Sequence, residues 1–443
     1  MNSLKMVSTG LLLMTSAMIA VPALAAQIAE HITRAKVGGI DLIAYPTAVK
    51  DVVTIVGSMP AGDAFAAPGN LAVPTLVGMM LDRGTTSEDQ YKIAHQLESV
   101  GAEIAFEVGD QMVDIQAKCL RKDLPLVIRL IAEQLRTPAF APAEFAKAQQ
   151  QAEGGLRQSL ENTGSRANEA FDRAVFPQGH PNRPATTEEM IAAVKTATLE
   201  DLKKFHKEHY GPSHLTLVVV GDIDVKALQA EVGKGFSGWT GGNDVLHAAV
   251  LATASAVPHE ESIPIAGKSS VSVVLGEASG LRYHDPDALA LRVGTAILGS
   301  GFTSRLMSTV RDKEGLTYGV GAGMGSDAAN DGYWKVSATF APALLDKGIA
   351  STKRELLKWS RDGVTAAELA ARKTDLIGSY QVGLATTGGL AHALQQAVLR
   401  GYPVSWLDDY PRAIDALTLD DVNRAIKKHI DPANLVLVKA GTV

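Results

Sequence analysis

Two stretches of this chain lie 220 residues apart and are near copies of one another. No other feature constrains the fold as tightly. Thr198–Gly221 and Thr418–Gly441 are identical at ten of 24 positions. Both open on Thr-Leu-acid-Asp, carry apolar residues at helical spacing, reach a proline (Pro212, Pro432) and run into leucine and valine. The threonine reads as a helix N-cap with acidic residues in the first turn, and the β-branched run as a buried strand. A weaker echo pairs Ala143–Ala146 with Ala367–Ala370. One helix–strand unit closing each half predicts two homologous domains. Strands and helices mixed in this order predict an α+β fold, each domain a mainly antiparallel sheet with helices packed on one face.

The domains are expected over residues 27–232 and 267–443, with residues 233–266, rich in Gly, Ser, Ala and Pro, as the linker. In the first half, residues 37–56 and 104–117 read as strands, and 71–81, 87–100 and 124–135 as helices. In the second, 269–276 and 333–339 read as strands, and 285–298, 344–362 and 366–384 as helices.

At 443 residues the chain can bury two substantial cores. Its 42 basic and 48 acidic residues give a net charge of -6, and no basic run stands out, which excludes a nucleic-acid partner. Residues 1–26 read as a secretory signal: Lys5, an apolar stretch from Gly10 to Val21, then Ala23-Leu24-Ala25 as a cleavage site. A membrane anchor would want a longer apolar run. The mature chain is therefore expected in the periplasm or secreted, with no membrane span. Cys119 lies in an alternating stretch and reads as a half-buried strand residue, since one thiol makes no internal disulfide.

The chemistry concentrates in the second half. Arg311 stands seven positions before Tyr318, in Thr303-Ser-Arg-Leu-Met-Ser-Thr-Val-Arg-Asp-Lys-Glu-Gly-Leu-Thr-Tyr318, downstream of Gly299-Ser-Gly-Phe302. A guanidinium is a permanent charge with a rigid fork of donors, and a phenol is a neutral donor. This segment resembles the arginine–tyrosine signature in the second half of M16 zinc peptidases, the pitrilysin, insulin-degrading enzyme and processing-peptidase family. The resemblance implies that Arg311 and Tyr318 bind the substrate carbonyl and steady the oxyanion.

In that family the first half carries His-x-x-Glu-His shortly before a Gly-Thr pair. Here the pair is Gly84-Thr85, and the five positions fall on Thr75-Leu-Val-Gly-Met79. Thr75 and Met79 stand where the histidines would be and Gly78 where the general base would be; none of them can do that work. The third ligand would fall near Glu153. The ligand positions Thr75, Gly78 and Met79 are thus read as lost, with no metal and no cofactor in this chain. His206-Lys-Glu-His209 has the wrong spacing for a metal helix and reads as structural. Gly179–Asn182 reads as a turn, and Arg305 as a structural residue. The glycines from Gly299 to Gly323 lack the Gly-Lys-Ser/Thr of a phosphate loop.

The resemblance implies an M16 subunit inactive alone, one part of a heteromeric zinc metalloendopeptidase. Its partner would be a homologous His-x-x-Glu-His subunit holding the zinc, and its substrates peptides. Two alternatives stay open: a non-catalytic scaffold of M16 fold, and a peptide-binding or chaperone protein that captures extended chains on an edge such as Gly101–Phe106.

Overall fold

The computed structural model describes residues 28–67, 69–242, 258–328 and 330–443. The expected leader, and residues 243–257 of the expected linker, lie outside the described residues.

Eleven strands form two sheets among the described residues. The first holds β1 (Thr33–Val37), β2 (Ile40–Pro46), β3 (Val52–Met59), β4 (Glu103–Val108), β5 (Val113–Leu120) and β6 (Thr216–Gly221), in the order β1-β2-β6-β3-β5-β4. The second holds β7 (His259–Pro264), β8 (Val271–Ala278), β9 (Thr317–Gly325), β10 (Tyr333–Phe340) and β11 (Val436–Gly441), in the order β7-β11-β8-β10-β9. Apart from the extra strand β1, the two orders are one topology. In each sheet a single pair is parallel, β2 with β6 and β7 with β11, and the rest are antiparallel. The expected α+β pair of homologous sheets is what folds.

The helices of the first half are α1 (Val73–Leu81), α2 (Gln90–Val100), α3 (Leu124–Arg136), α4 (Pro142–Leu160), α5 (Thr163–Val175), α6 (Thr187–Thr196), α7 (Leu199–His209) and α8 (Val225–Gly235). Those of the second are α9 (Ala288–Gly299), α10 (Leu345–Asp362), α11 (Ala366–Leu384), α12 (Thr387–Leu399), α13 (Trp406–Ala416) and α14 (Leu419–His429). The repeated segments become α7–β6 and α14–β11. Both helices start on a full capping box, Thr198 with Asp201 and Thr418 with Asp421, and end on basic residues that suit the carbonyl end of the dipole. The Ala143 and Ala367 echo marks the starts of α4 and α11.

One boundary differs from the sequence reading. His259–Pro264, placed in the linker, is strand β7 and pairs in parallel with β11. Its residues are polar and mostly exposed because it is an edge strand, so periodicity gave no signal.

Each sheet is covered on its two faces by different halves of the chain. Val53 and Ile55 of β3 point into a core built with their own half's helices. Val56 points the other way, against Leu390, Ala391 and Leu394 of α12. In the second sheet Val271, Val273 and Leu275 of β8 face their own half, while Val274 meets Ala167, Phe171 and Val175 of α5. The exchange is reciprocal down to the first helical residue. Thr387 Oγ1 lies 2.9 Å from Thr54 Oγ1 on β3, and Thr163 Oγ1 lies 2.8 Å from Ser272 Oγ on β8. The helices expected on one face are there, and a donated helix closes the other.

A buried pin adds to this lock. His180 Nδ1 accepts from the Asn182 backbone N–H at 3.1 Å, so Nε2 carries the proton and donates to Asp331 Oδ1 at 3.0 Å. Both side chains are fully buried, and the imidazole stacks on Phe176 at 4.6 Å. The turn expected at residues 179–182 thus ties the first half to the β9–β10 connection. Among the described residues no helix is long and apolar enough to cross a membrane.

Candidate functional site

Arg311 sits on a wide-wound segment rather than an ordinary α-helix. Met307–Lys313 is a π-helix, with Leu306, Met307 and Val310 buried in the second core. Glu314 N–H donates to the Thr309 carbonyl and Leu316 N–H to that of Val310, which closes the wide turn. Such turns are uncommon and gather at functional sites. Gly315, at φ +62°, then reverses the chain into β9. Close packing fixes the other end: a Cβ on Gly299 would stand 2.2 Å from the backbone nitrogen of Ala322, so β9 lies directly on the end of α9.

Tyr318 is aimed by a β-bulge. Thr339 pairs with Gly319 and Phe340 with Thr317, which leaves Tyr318 without a partner across the ladder. A bulge re-aims a side chain, and the phenol is 94% exposed. β9 is the last strand of its sheet, so its outer edge is unpaired among the described residues. Arg311 just before the Gly315 turn and Tyr318 just after it therefore flank the entry into this edge strand. Among the described residues the guanidinium makes no hydrogen bond. Asp312 Oδ1 is 3.9 Å away, and the Phe302 ring centroid is 5.2 Å away.

The first half presents nothing comparable at the five positions on α1. Thr75 Oγ1 donates to Asp63 Oδ1 at 2.9 Å. A Cβ on Gly78 would lie 2.2 Å from Val108 Cγ2, so β4 fills the space that a catalytic carboxylate would need. Met79 packs half-buried on the core. Glu153 is held by Arg157 at 2.7 Å and Lys195 at 3.3 Å. Among the described residues no cluster of three or more His, Cys, Asp or Glu side chains is placed to hold a metal ion. These donors do not fit zinc: a committed hydroxyl, a filled glycine position and a core thioether supply no ligand set.

Residues 196–376, from α7 into α11, match the family model described as the peptidase M16 inactive domain. The chain therefore carries a segment similar to the M16 inactive domain. It is 26% identical to an uncharacterized zinc protease of Streptomyces coelicolor, over 79% of this chain and 76% of that one. It is 22% identical to the non-peptidase homolog YmxG of Helicobacter pylori, over 84% of each. Its fold matches the crystal structure of a peptidase M16 inactive domain from Pseudomonas fluorescens, with a TM-score of 0.84 at 23% identity. That match covers 93% of this chain and 98% of that one.

The remaining sequence candidates are structural. Arg305 grips Glu368 through two hydrogen bonds of 2.6 and 2.7 Å, and that carboxyl is pulled down to about 2. His206 Nε2 lies 2.8 Å from the Leu135 carbonyl oxygen, and its ring stacks on Tyr210. Cys119 is buried in β5, and burial pushes its thiol up to about 12, far from a nucleophile.

Sequence reading passed over Phe302 and a set of carboxylates where the halves meet. Burial pushes Asp63 and Asp172 each up to about 6, and Asp110, close to both, is raised as well. Lys335 stands near Asp172, donates to Asn168 Oδ1 at 2.7 Å, and has its own pKa lowered by burial. No motif links these positions; they meet because β10, α5 and two turns converge.

Proposed function

We propose that this chain is the metal-free subunit of an exported M16 metallopeptidase, working in the periplasm beside a homologous subunit that holds the zinc. The reading rests on one observation above all: Arg311 and Tyr318 flank the turn into an open edge strand, with their donors unused among the described residues. A scaffold gains nothing from an exposed phenol thrown out by a bulge, or from a guanidinium without a hydrogen-bonding partner. A half-site completed by another surface needs both.

Zinc in the partner would supply the nucleophile for peptide hydrolysis. This chain would contribute the fork of Arg311 to the scissile carbonyl and the Tyr318 hydroxyl as a second, neutral donor. Donors fixed where negative charge develops are commonly worth about 3 kcal/mol each in rate. Neither group can generate a nucleophile, so the subunit alone would be inert.

Purification of the tagged mature chain from its native extract, with mass spectrometry of what accompanies it, tests the pairing. The expected outcome is a subunit of similar size carrying His-x-x-Glu-His, with peptidase activity that appears on mixing and disappears on chelation. Recovery of self-associated chain alone, with no activity gained from any zinc-bearing homologue, would move the reading to a scaffold or peptide-binding protein. The relative named a non-peptidase homolog keeps that second reading in view.

A further inference from the structure

We propose that Phe302 is the positioning residue of Arg311, holding its guanidinium against the ring while leaving the N–H fork free. The inference rests on the split-site reading above and deepens it.

Phe302 is 74% exposed and belongs to none of the four hydrophobic clusters among the described residues. A ring left in water contributes nothing to the core, so packing does not explain it. The turn beneath it is well built: Gly301 takes φ +76°, and the Ser304 hydroxyl, on a residue 1% exposed, donates to the Gly301 carbonyl at 2.8 Å. The ring is therefore presented from a fixed turn whose closing residue is buried. Among the described residues the ring meets the guanidinium of Arg311, 5.2 Å from the centroid.

An arginine can be fixed in two ways, with different consequences. A carboxylate would orient it but would occupy its donors and neutralise its charge. An aromatic face takes the flat side of the guanidinium and leaves its edge, where the N–H groups lie, free. Asp312 is beyond hydrogen-bond range at 3.9 Å, so the structure uses the second way. The same segment shows the alternative: Arg305 spends its donors on Glu368 and has become structural.

The test is a double-mutant cycle in the complex of the mature chain with its zinc subunit, read as kcat and KM on one fluorogenic peptide that the wild-type pair cleaves. Phe302→Ala should lower kcat/KM about 3- to 10-fold, as expected for a cation–π contact at an exposed or partly desolvated site. Phe302→Leu should fall equally, since it keeps apolar bulk without a π face, and Phe302→Tyr should retain activity. Phe302→Ala added to Arg311→Ala should cost nothing further.

A companion measurement on the mature chain alone is the ring-current shift of the Arg311 side-chain NMR signals, assigned by their loss in Arg311→Lys. The shift should vanish in Phe302→Leu and persist in Phe302→Tyr. Additive losses in the double variant, or full activity in Phe302→Ala where Arg311→Ala is impaired, would overturn the positioning role alone. Full activity of Arg311→Ala itself would remove the underlying reading as well.

Discussion

The two halves of this molecule share one topology and treat the same kind of position in opposite ways. In the first half, α1 carries Thr75 bonded to Asp63, Gly78 roofed by Val108 and Met79 half-buried against the core. In the second, a half-buried arginine precedes the strand at the sheet's edge and an exposed tyrosine stands at its start. The positions on α1 are closed by ordinary packing, whereas the chain around the Gly315 turn leaves the Arg311 fork unbonded and the Tyr318 ring exposed among the described residues.

The comparison also concerns stability, because each half is finished by a helix from the other. Phe171→Ala on α5 empties a fully buried site and should cost about 3–5 kcal/mol; Leu394→Ala on α12 should cost about 2–5 kcal/mol. Both are checked by urea unfolding. Interlocked halves predict that either variant lowers one shared transition, and two separable transitions would break the symmetry argument.

Two smaller effects sharpen the contrast at α1. Gly78→Ala drives a methyl into Val108 and should destabilise by about 1–3 kcal/mol, with much of the loss recovered by adding Val108→Ala. Recovery would show that β4 fills the vacated position, whereas an unchanged midpoint in Gly78→Ala would show that the space is still there. Asp63 makes a pH-dependent prediction. Its carboxyl keeps its proton up to about pH 6 in the native protein against a usual value of 3.8, so the native state binds more protons across that window. Stability from this group therefore falls as pH rises through it. Asp63→Asn, which can still accept from Thr75, should gain about 1–3 kcal/mol above pH 6 relative to pH 4, measured as the difference from wild type. An equal difference at both pH values would contradict the buried, raised carboxyl. The smallest effect belongs to the open site: Tyr318→Phe should leave the melting temperature unchanged, within about 0.5 kcal/mol.

Much of this architecture was legible in the sequence. The Thr198 and Thr418 caps, the strands after them, and helices α1, α3, α9, α10 and α11 follow from local spacing and capping chemistry. The helix exchange was not, since Ala167, Phe171 and Val175 form a thin stripe whose partners lie about a hundred residues or more away. Strand β7 was hidden by its polar edge composition. The direction of Tyr318 was hidden too, because the bulge depends on how Thr339 and Phe340 pair across the sheet. Residue types announced the arginine and tyrosine; the reason they face outward belongs to tertiary structure.

The central claim is that Arg311 and Tyr318 act in another subunit's site, and steady-state kinetics of the reconstituted pair tests it most directly. With the zinc subunit unaltered, Arg311→Ala and Tyr318→Phe in this chain should each lower kcat by about 10²- to 10³-fold while assembly and melting temperature stay unchanged. Wild-type kcat in both variants, at full complex formation, would contradict the account.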